Sequence, residues 1–443
     1  MLMAAGTLAA QDDARLSDKR IHQPSVLPDR IVLTWRKNPA RSQSVTWRTD
    51  TSVRDAVAEF AVATAGPKFA LEPRKVAATT TPYKSDLSEA HYHTAHFEGL
   101  TPNTKYAYRV GDGVHFSEWN HFTTASEKPE KFSFLYFGDS QHQLKTHWSR
   151  VVREAYAAAP QARFSLHAGD LVNWASSDAQ WGEWFQAAEW INRTMPVVPV
   201  VGNHEYWHDE GKSVPRYWKL QFPLPENGPK DQLGSVYHFD FQGARFVVLN
   251  TNEPIPDQDR WLDDVLKNDP QRWTIVTFHH PMYSSAMGRD NPTLRKHWQP
   301  ILNKHRVDLV LQGHDHCYGR SALEGSPVYV VSVSGPVFYP VDNTKWMVRK
   351  GQGIQTFQVI TIDGDKLTFE ARTALGDIYD SFTLTKQPDG KANALTDGAH
   401  DPRSVPASEP GEPWSLVAVA VIVLLAAFLV AVRVLRRRAA APP

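Results

Sequence analysis

The stretch KFSFLYFGDSQ at residues 131–141 decides the fold of this chain. Its first seven residues are almost all apolar, which is typical of a strand buried on both faces, and a glycine and an aspartate follow at once. Apolar runs followed at once by polar residues, four of the five with a glycine first, recur downstream as ARFSLHAGD (162–170), PVVPVVGNHE (196–205), WTIVTFHHP (273–281) and VDLVLQGHDH (307–316). Because helical segments alternate with these strands, we expect residues 126–386 to form a layered α/β domain with mixed sheets.

The polar residues that end these five stretches predict a metal site. Loops beyond the carboxyl ends of parallel strands form the ligand crevice of α/β sheets, so segments distant in sequence can meet there. Glycine lets each loop turn sharply beside a ligand, and Asp, Asn and neutral His are donors that Zn, Mn and Fe accept. One Gly-Asp or His-His pair is often only a turn or a core element. Five in one domain favour the metal site.

Residues 22–125 are predicted to form a β-sandwich, because short alternating strands are separated there by turn signals. The stretch GLTPNTKYAYRVG (99–111) resembles the end of a fibronectin type III domain, in which a tyrosine corner precedes a strand. Nothing in this region indicates catalysis.

The series GD, GD, GNHE, VTFH and GHDH, spread over residues 138–316, resembles the calcineurin-like metallophosphoesterases. With the sandwich in front and the DGDKLTFEART ending behind, the chain is most similar to the purple acid phosphatase branch from about residue 22 to 386. The resemblance implies an α+β or α/β fold in which a β-sandwich precedes a four-layer αββα domain. It also implies a phosphoesterase with a dinuclear metal centre.

The resemblance assigns six metal ligands. One metal takes Asp139, Asp170 and His316, the other takes Asn203, His279 and His314, and Asp170 bridges the two. Two divalent ions of Mn, Zn or Fe would activate a hydroxide from water and neutralise the phosphate oxygens. His204 matches the family histidine that contacts phosphate and protonates the leaving oxygen.

Several neighbouring residues have open roles. Asn173 stands where purple enzymes have the tyrosinate that binds ferric iron, so we expect no purple band and less preference for Fe(III). The Asn173 side chain either coordinates a metal or lies behind the ligands. Gln141 either coordinates a metal or donates a hydrogen bond to a ligand. His280 lies behind the ligands or faces substrate, and Arg320 either contacts substrate or forms a local salt bridge. Glu205 holds the His204 imidazole or forms a structural salt bridge.

Aromatic and thiol residues near the motifs are predicted to be structural. Residues 178–192 are predicted to form an amphipathic helix that Asp178 can cap. Trp181, Trp184 and Trp190 have helical spacing on it, and such residues are more often core than part of a substrate wall. Cys317 adjoins a predicted ligand but lies outside the family pattern, so a structural thiol is expected. As the single cysteine of the chain, it also excludes an intramolecular disulfide.

Composition and the two chain ends predict what the protein binds and where the catalytic domain is located. A formal net charge of zero over 443 residues argues against nucleic-acid binding. Residues 414–435 contain a long uncharged apolar run, followed by an arginine-rich tail at 436–443. They predict a transmembrane helix with the tail in the cytoplasm and the catalytic domain outside it. Residues 1–21 are expected to be a residual leader, and residues 387–413 a flexible stalk.

The leading functional hypothesis is a membrane-anchored phosphoesterase that acts on small organic phosphate monoesters. A phosphodiesterase or nucleotide pyrophosphatase with the same centre is the nearest alternative, because the motifs determine the metals and the reaction but not the ester. A surface adhesion or binding protein with an inactive phosphatase fold is the alternative from another class. The intact ligand blocks count against it. The sequence predicts no oligomeric state.

Overall fold

The computed structural model describes residues 17–206, 214–321, 323, 325–341, 346–388 and 391–401, all within one compact unit, Met1–Val405. The N-terminal region forms two antiparallel four-stranded sheets. Its strands are β1 (Asp29–Thr34), β2 (Ser42–Thr49), β3 (Val57–Val62), β4 (Arg74–Ala77), β5 (Thr79–Lys84), β6 (Glu89–Glu98), β7 (Lys105–Gly111) and β8 (Asn120–Thr123). The orders are β1-β2-β6-β5 and β4-β3-β7-β8.

The two N-terminal sheets form the predicted sandwich around an aromatic core. Phe60 lies 4.5 Å from Phe97 between ring centroids, and Phe97 stacks on Phe122 at 5.9 Å. The predicted tyrosine corner is present, since the backbone N–H of Thr101 donates to the hydroxyl of Tyr106 at 2.9 Å. The sandwich therefore has its own hydrophobic core.

The following region is built on two seven-stranded mixed sheets. Its strands are β9 (Phe132–Phe137), β10 (Ser165–His167), β11 (Val197–Pro199), β12 (Tyr237–Phe241), β13 (Ala244–Val248), β14 (Trp273–Thr277), β15 (Leu309–Gln312), β16 (Tyr318–Ser321), β17 (Val328–Val331), β18 (Met347–Gly351), β19 (Thr356–Asp363), β20 (Lys366–Thr373), β21 (Ile378–Thr385) and β22 (Ala394–Asp397). The orders are β11-β10-β9-β19-β20-β21-β22 and β12-β13-β14-β15-β17-β16-β18.

The helices cover these sheets. They are α1 (Asp18–Ile21), α2 (Ser149–Ala158), α3 (Asp178–Ala188), α4 (Trp190–Thr194), α5 (Arg216–Gln221), α6 (Ile255–Lys267) and α7 (Pro292–Lys304), with a π-helical turn at Leu144–Trp148 and 3-10 turns at Pro67–Ala70 and Lys230–Gln232. Phe134 of one sheet meets Phe246 of the other at 5.2 Å, so the sheets share one core. Apolar residues of α6 and α7 pack on the second sheet, giving the predicted α/β/β/α layering.

The predicted helix at 178–192 is broken, and Asp178 does not cap it. Glu189 has φ +39° and separates α3 from α4, while Ser177 is the N-cap residue whose hydroxyl accepts from the N–H of Gln180. Asp178 is instead buried and forms ion pairs with two sandwich residues, Arg30 at 2.7 Å and Arg48 at 3.1 Å. Burial raises the pKa of Asp178, but Arg30, Arg48 and the hydroxyl of Tyr217 together outweigh burial, and the pKa is lowered. This buried ion cluster joins the sandwich to the region built on the two seven-stranded sheets.

Two of the three tryptophans predicted to be core are buried. Trp181 and Trp184 lie in the shared core, whereas Trp190 is 48% exposed and packs only its edge against Tyr156, so its prediction was wrong. The helix break at Glu189 changes the face on which position 190 lies, because the helical spacing that related it to Trp184 is interrupted.

Part of the predicted stalk is ordered as an edge strand. β22 pairs antiparallel with β21, and the carboxylate of Asp397 accepts from the buried Arg320 guanidinium at 2.8 Å. Backbone pairing together with this ion pair accounts for a strand in a polar segment.

The fold-class prediction is corrected in one respect, the C-terminal transmembrane helix. Among the residues that the structure describes, no helix has both the length and the apolar character needed to cross a membrane. The longest, α6 and α7, have 13 residues each, or ~20 Å against a hydrocarbon core of ~30 Å. The segment predicted to span, 414–435, and the basic tail lie outside the described residues, as do residues 1–16 of the predicted leader.

Candidate metal centre

Five strand ends bring the predicted ligands to one edge of the paired sheets. The parallel strands β9, β10 and β11 end just before Asp139, Asp170 and Asn203. In the other sheet the parallel strands β14 and β15 end before His279 and His314. The carboxyl ends of parallel strands share one sheet edge, so ligands up to 177 positions apart meet there, as from Asp139 to His316.

The backbone turns sharply at these ligands. Four of them have left-handed backbone: Asp139 (φ +42°), Asp170 (+52°), His314 (+72°) and His316 (+49°). Non-glycine residues seldom adopt such angles, and where they do the strain is characteristically found at functional sites. The turns direct the side chains inward from the strand ends.

Two overlapping groups of donor atoms result. Asp170, His279 and His314 form one group, and Asp139, Asp170 and His316 form the other, with the donor atoms of each group within 4.8 Å of one another. Asp170 belongs to both. Asn203 joins the first group, because its Oδ1 lies 3.0 Å from Nε2 of His279. The structure thus brings together all six residues predicted to bind metal.

The chemistry of these atoms fits metal ions. Nδ1 of His279 donates to the carbonyl of Ala168 at 2.8 Å, so Nε2 of the neutral ring carries a lone pair. That lone pair faces Oδ2 of Asp170 at 3.1 Å and Nδ1 of His314 at 3.1 Å. In the second group Oδ1 of Asp139 is buried without a hydrogen-bond partner. The lone pairs of His279 Nε2 and Asp170 Oδ2 repel each other unless a cation lies between them.

The pKa values of His279 and Asp170 also indicate that this site favours a positive charge. Burial lowers the pKa of His279, but the carboxylates of Asp170 and Asp139 and the carbonyl of Ala168 together raise it to about 9. Burial raises the pKa of Asp170, but His279 more than offsets it and brings the pKa to about 2. In the absence of a metal, the His279 imidazole is therefore protonated and its proton lies between the ring and the Asp170 carboxylate. A metal ion must displace that proton, so metal binding weakens as the pH falls.

Gln141 lies between the two groups. Its amide nitrogen, as placed, contacts Oδ2 of Asp170 at 3.3 Å and Nε2 of His316 at 2.9 Å, while its amide oxygen is buried without a partner. The nitrogen and oxygen of an amide are assigned from their surroundings, and a flipped amide would direct the oxygen at the same point. Both predicted roles, metal ligand and hydrogen-bond donor, fit this position.

His204 is oriented by the residue that replaces the family tyrosine. Nδ1 of His204 lies 2.8 Å from the backbone carbonyl of Asn173 and donates to it, and the backbone N–H of His204 donates to Oδ1 of Asp170 at 2.9 Å. Nε2 lies 3.8 Å from Oδ2 of Asp170. The ring therefore presents Nε2 to the metal groups.

The two other predicted substrate residues differ in position. The ring of His280 lies 4.0 Å from that of His314 between centroids and hydrogen-bonds Thr251 at 2.7 Å, so it packs beside the ligands. Arg320 is completely buried and forms a 2.6 Å ion pair with Asp380. Of its two predicted roles, the structure contains the salt bridge. Cys317 is also buried, with Sγ 3.0 Å from the hydroxyl of Ser285.

Among the residues that the structure describes, Glu205 pairs with neither the His204 ring nor a basic side chain. Its buried carboxylate accepts three backbone N–H groups, from Gly202 (2.7 Å), Leu171 (2.8 Å) and Asp170 (2.9 Å). It therefore ties the loop after β10 to the loop after β11. In the other sheet Asp315 ties the loop after β15 to the loop after β14. Its carboxylate accepts from the backbone N–H of Ser285 at 2.8 Å and from the hydroxyl of Ser284 at 2.6 Å.

Two aromatic rings at the centre were not predicted. The ring of His142 lies near His204 and His316, and the ring of Tyr339 stacks on His316 at 4.5 Å. The only sequence signal for His142 is its place one residue after Gln141. Tyr339 follows no strand-end motif, so no signal indicated it.

Comparisons with known proteins agree with this arrangement. Residues 28–124 match the family described as purple acid phosphatase, N-terminal domain, and residues 132–318 match calcineurin-like phosphoesterase. An uncharacterized protein of Mycobacterium tuberculosis is 27% identical over 66% of this chain and 61% of its own length. A phosphoenolpyruvate phosphatase of Allium cepa is 25% identical over 60% of this chain and 58% of its own. The chain thus spans about three fifths of these relatives.

Solved structures share the fold. A purple acid phosphatase from yellow lupin (Lupinus luteus) seeds superposes with a TM-score of 0.71 and 21% identity, covering 82% of this chain and 75% of that one. The structure of PhoD gives a TM-score of 0.63 at 13% identity and covers 85% and 93% of the two chains. At these identities the likeness concerns the fold.

A methyl group at Gly202 should disrupt the centre. A Cβ built there would collide with both the carboxylate and the backbone nitrogen of Asp170, and the backbone nitrogen cannot move aside as a flexible side chain would. We expect Gly202→Ala to lose most bound metal in elemental analysis of the purified protein. Gly66→Ala is the matched control, since its Cβ meets nothing within 4 Å. Full metal occupancy in Gly202→Ala would contradict this account of the site.

Proposed function

Because the chain belongs to the calcineurin-like phosphoesterases and carries the N-terminal domain of the purple acid phosphatases, we propose that it hydrolyses small organic phosphate monoesters. The observation that carries the proposal is the pair of donor groups that share Asp170. The name of the Allium cepa relative, phosphoenolpyruvate phosphatase, supports a monoester substrate.

The metal ions supply one part of the chemistry. Bound in the two groups, two divalent ions lower the pKa of a water molecule and offset the charge of the phosphate. Asp139 and His316 would hold one ion, Asn203, His279 and His314 the other, and Asp170 both. The side chain of Asn173 cannot supply a phenolate, so Mn, Zn or Fe(II) is proposed and no purple band is expected.

His204 is the proposed general acid. Its Nδ1 proton is held by the carbonyl of Asn173, so a second proton can reside only on Nε2, the atom directed at the metal groups. In the doubly protonated ring both nitrogens are donors, so the hydrogen bond to Asn173 is kept while Nε2 donates. Donation from Nε2 to the departing alkoxide requires no movement of the ring about its fixed hydrogen bond.

The proposal is tested by loading the purified protein with Mn, Zn or Fe(II) and assaying a monoester, a diester and a nucleotide. We expect the monoester to give the highest kcat/KM, and Asp170→Asn to abolish turnover because it removes the shared carboxylate. Preference for the diester or nucleotide would replace the proposal with phosphodiesterase or pyrophosphatase activity. If metal-loaded protein hydrolyses none of them, an inactive binding protein is the remaining hypothesis.

His204→Ala should have an effect that depends on the leaving group. General acid catalysis contributes about 10²–10⁴-fold, so alkyl phosphates, whose alkoxides leave poorly, should slow by about that factor. An activated aryl phosphate needs little protonation and should slow much less. Steady-state kinetics on both esters measure this difference, with His121→Ala on the sandwich strand β8 as the control. Equal losses on both esters would exclude His204 as the acid.

A further inference from the structure

We propose that His142 is a second substrate-binding imidazole, which donates a hydrogen bond to the phosphoryl oxygens opposite His204. The inference rests on the proposed function, because it assigns the phosphate group of that substrate to a gap between two rings. Neither the strand-end motifs nor the predicted ligand set includes His142.

Position is the first argument. The ring centroid of His142 lies 6.4 Å from that of His204 and 6.2 Å from that of His316. His204 is the proposed acid, and His316 is one of the proposed ligands. The half-buried ring of His142 therefore borders the space in which substrate must lie to reach both.

The backbone around His142 is the second argument. His142 (φ +69°) and Gln143 (φ +46°) are consecutive residues with left-handed backbone, and the π-helical turn Leu144–Trp148 follows directly. Two such residues in succession are costly, and π-helical turns occur frequently at functional sites. A relaxed loop would not need this conformation.

Both sides of this strained turn are fixed to the protein. On one side the N–H of Gln141 donates to the carbonyl of Asp170 at 3.2 Å, and the hydroxyl of Ser140 donates to the carbonyl of Leu171 at 3.0 Å. On the other side Trp148 is fully buried and packs on Phe137 at 4.8 Å. The strain at His142 is therefore maintained by packing, and it holds the imidazole at the centre.

The spacing of the rings suits one phosphoryl group. Two imidazoles whose centroids are 6.4 Å apart can both donate to one phosphoryl oxygen, because two hydrogen bonds of about 2.8 Å that meet at an angle cover this distance. A metal-ligand role does not fit, because His142 is absent from both groups of converging donor atoms among the described residues.

The test uses His142→Asn, which removes the imidazole while preserving the backbone, since asparagine tolerates the left-handed region. Losing a hydrogen bond to a charged group should raise both KM for the monoester and the dissociation constant of inorganic phosphate by about 10- to 100-fold. Metal content should stay unchanged, and kcat should change much less than KM. His121→Asn on β8 is the matched control.

A second variant separates the imidazole from the turn. His142→Gly relaxes the backbone and leaves a gap, so added imidazole should lower its KM toward that of the unaltered protein. Unchanged KM and phosphate affinity in His142→Asn would overturn the proposal, and so would loss of metal, which would indicate a ligand. Titration calorimetry of metal-loaded protein with inorganic phosphate needs no turnover. It therefore tests His142 even if the unaltered protein proves inactive and the proposed function fails.

Discussion

The metal centre depends on one buried carboxylate that binds no metal in the proposed scheme. Glu205 accepts the backbone N–H groups of Gly202, Asp170 and Leu171, and so fixes the loops after β10 and β11 against each other. Those loops carry the shared carboxylate, Asn203 and His204. Burial raises the pKa of Glu205 to about 7, and the charge of Asp170 adds to the effect. Three backbone donors offset the cost of burying the group, because hydrogen bonds favour the ionised form.

Glycine is required at three strand ends because ligands from other loops approach the backbone closely there. At Gly169, Gly202 and Gly313 a side chain would collide with His279, Asp170 and Asp139 respectively. The three strand-end glycines therefore make room for ligands that come from other loops. The surrounding structure also fixes the proposed substrate site, since His142 lies in a strained turn whose two sides are anchored in the core. Strain and close packing together determine where each donor atom lies.

The sequence predicted the strands, the layering and the set of six converging residues, because each motif follows an apolar strand and the carboxyl ends of parallel strands share an edge. Prediction from the sequence failed where a contact between residues distant in sequence determines the local structure. Asp178 has a capping residue's local pattern, yet it is buried against Arg30, 148 positions earlier. The salt bridge left open for Arg320 is present, but its partners, Asp380 and Asp397, are distant in sequence and no local pattern indicates them. The roles of Glu205 and His142 likewise depend on contacts with residues distant in sequence, which their neighbours along the chain do not indicate.

The central claim is that Asp170 joins two metal sites into one centre. Electron paramagnetic resonance of the protein loaded with two equivalents of Mn(II) tests it most directly, because a shared carboxylate couples the spins of the two ions. The account predicts the spectrum of an exchange-coupled pair, which should disappear in Asp170→Asn. A spectrum containing only isolated Mn(II), with the same form at one and two equivalents, would contradict it.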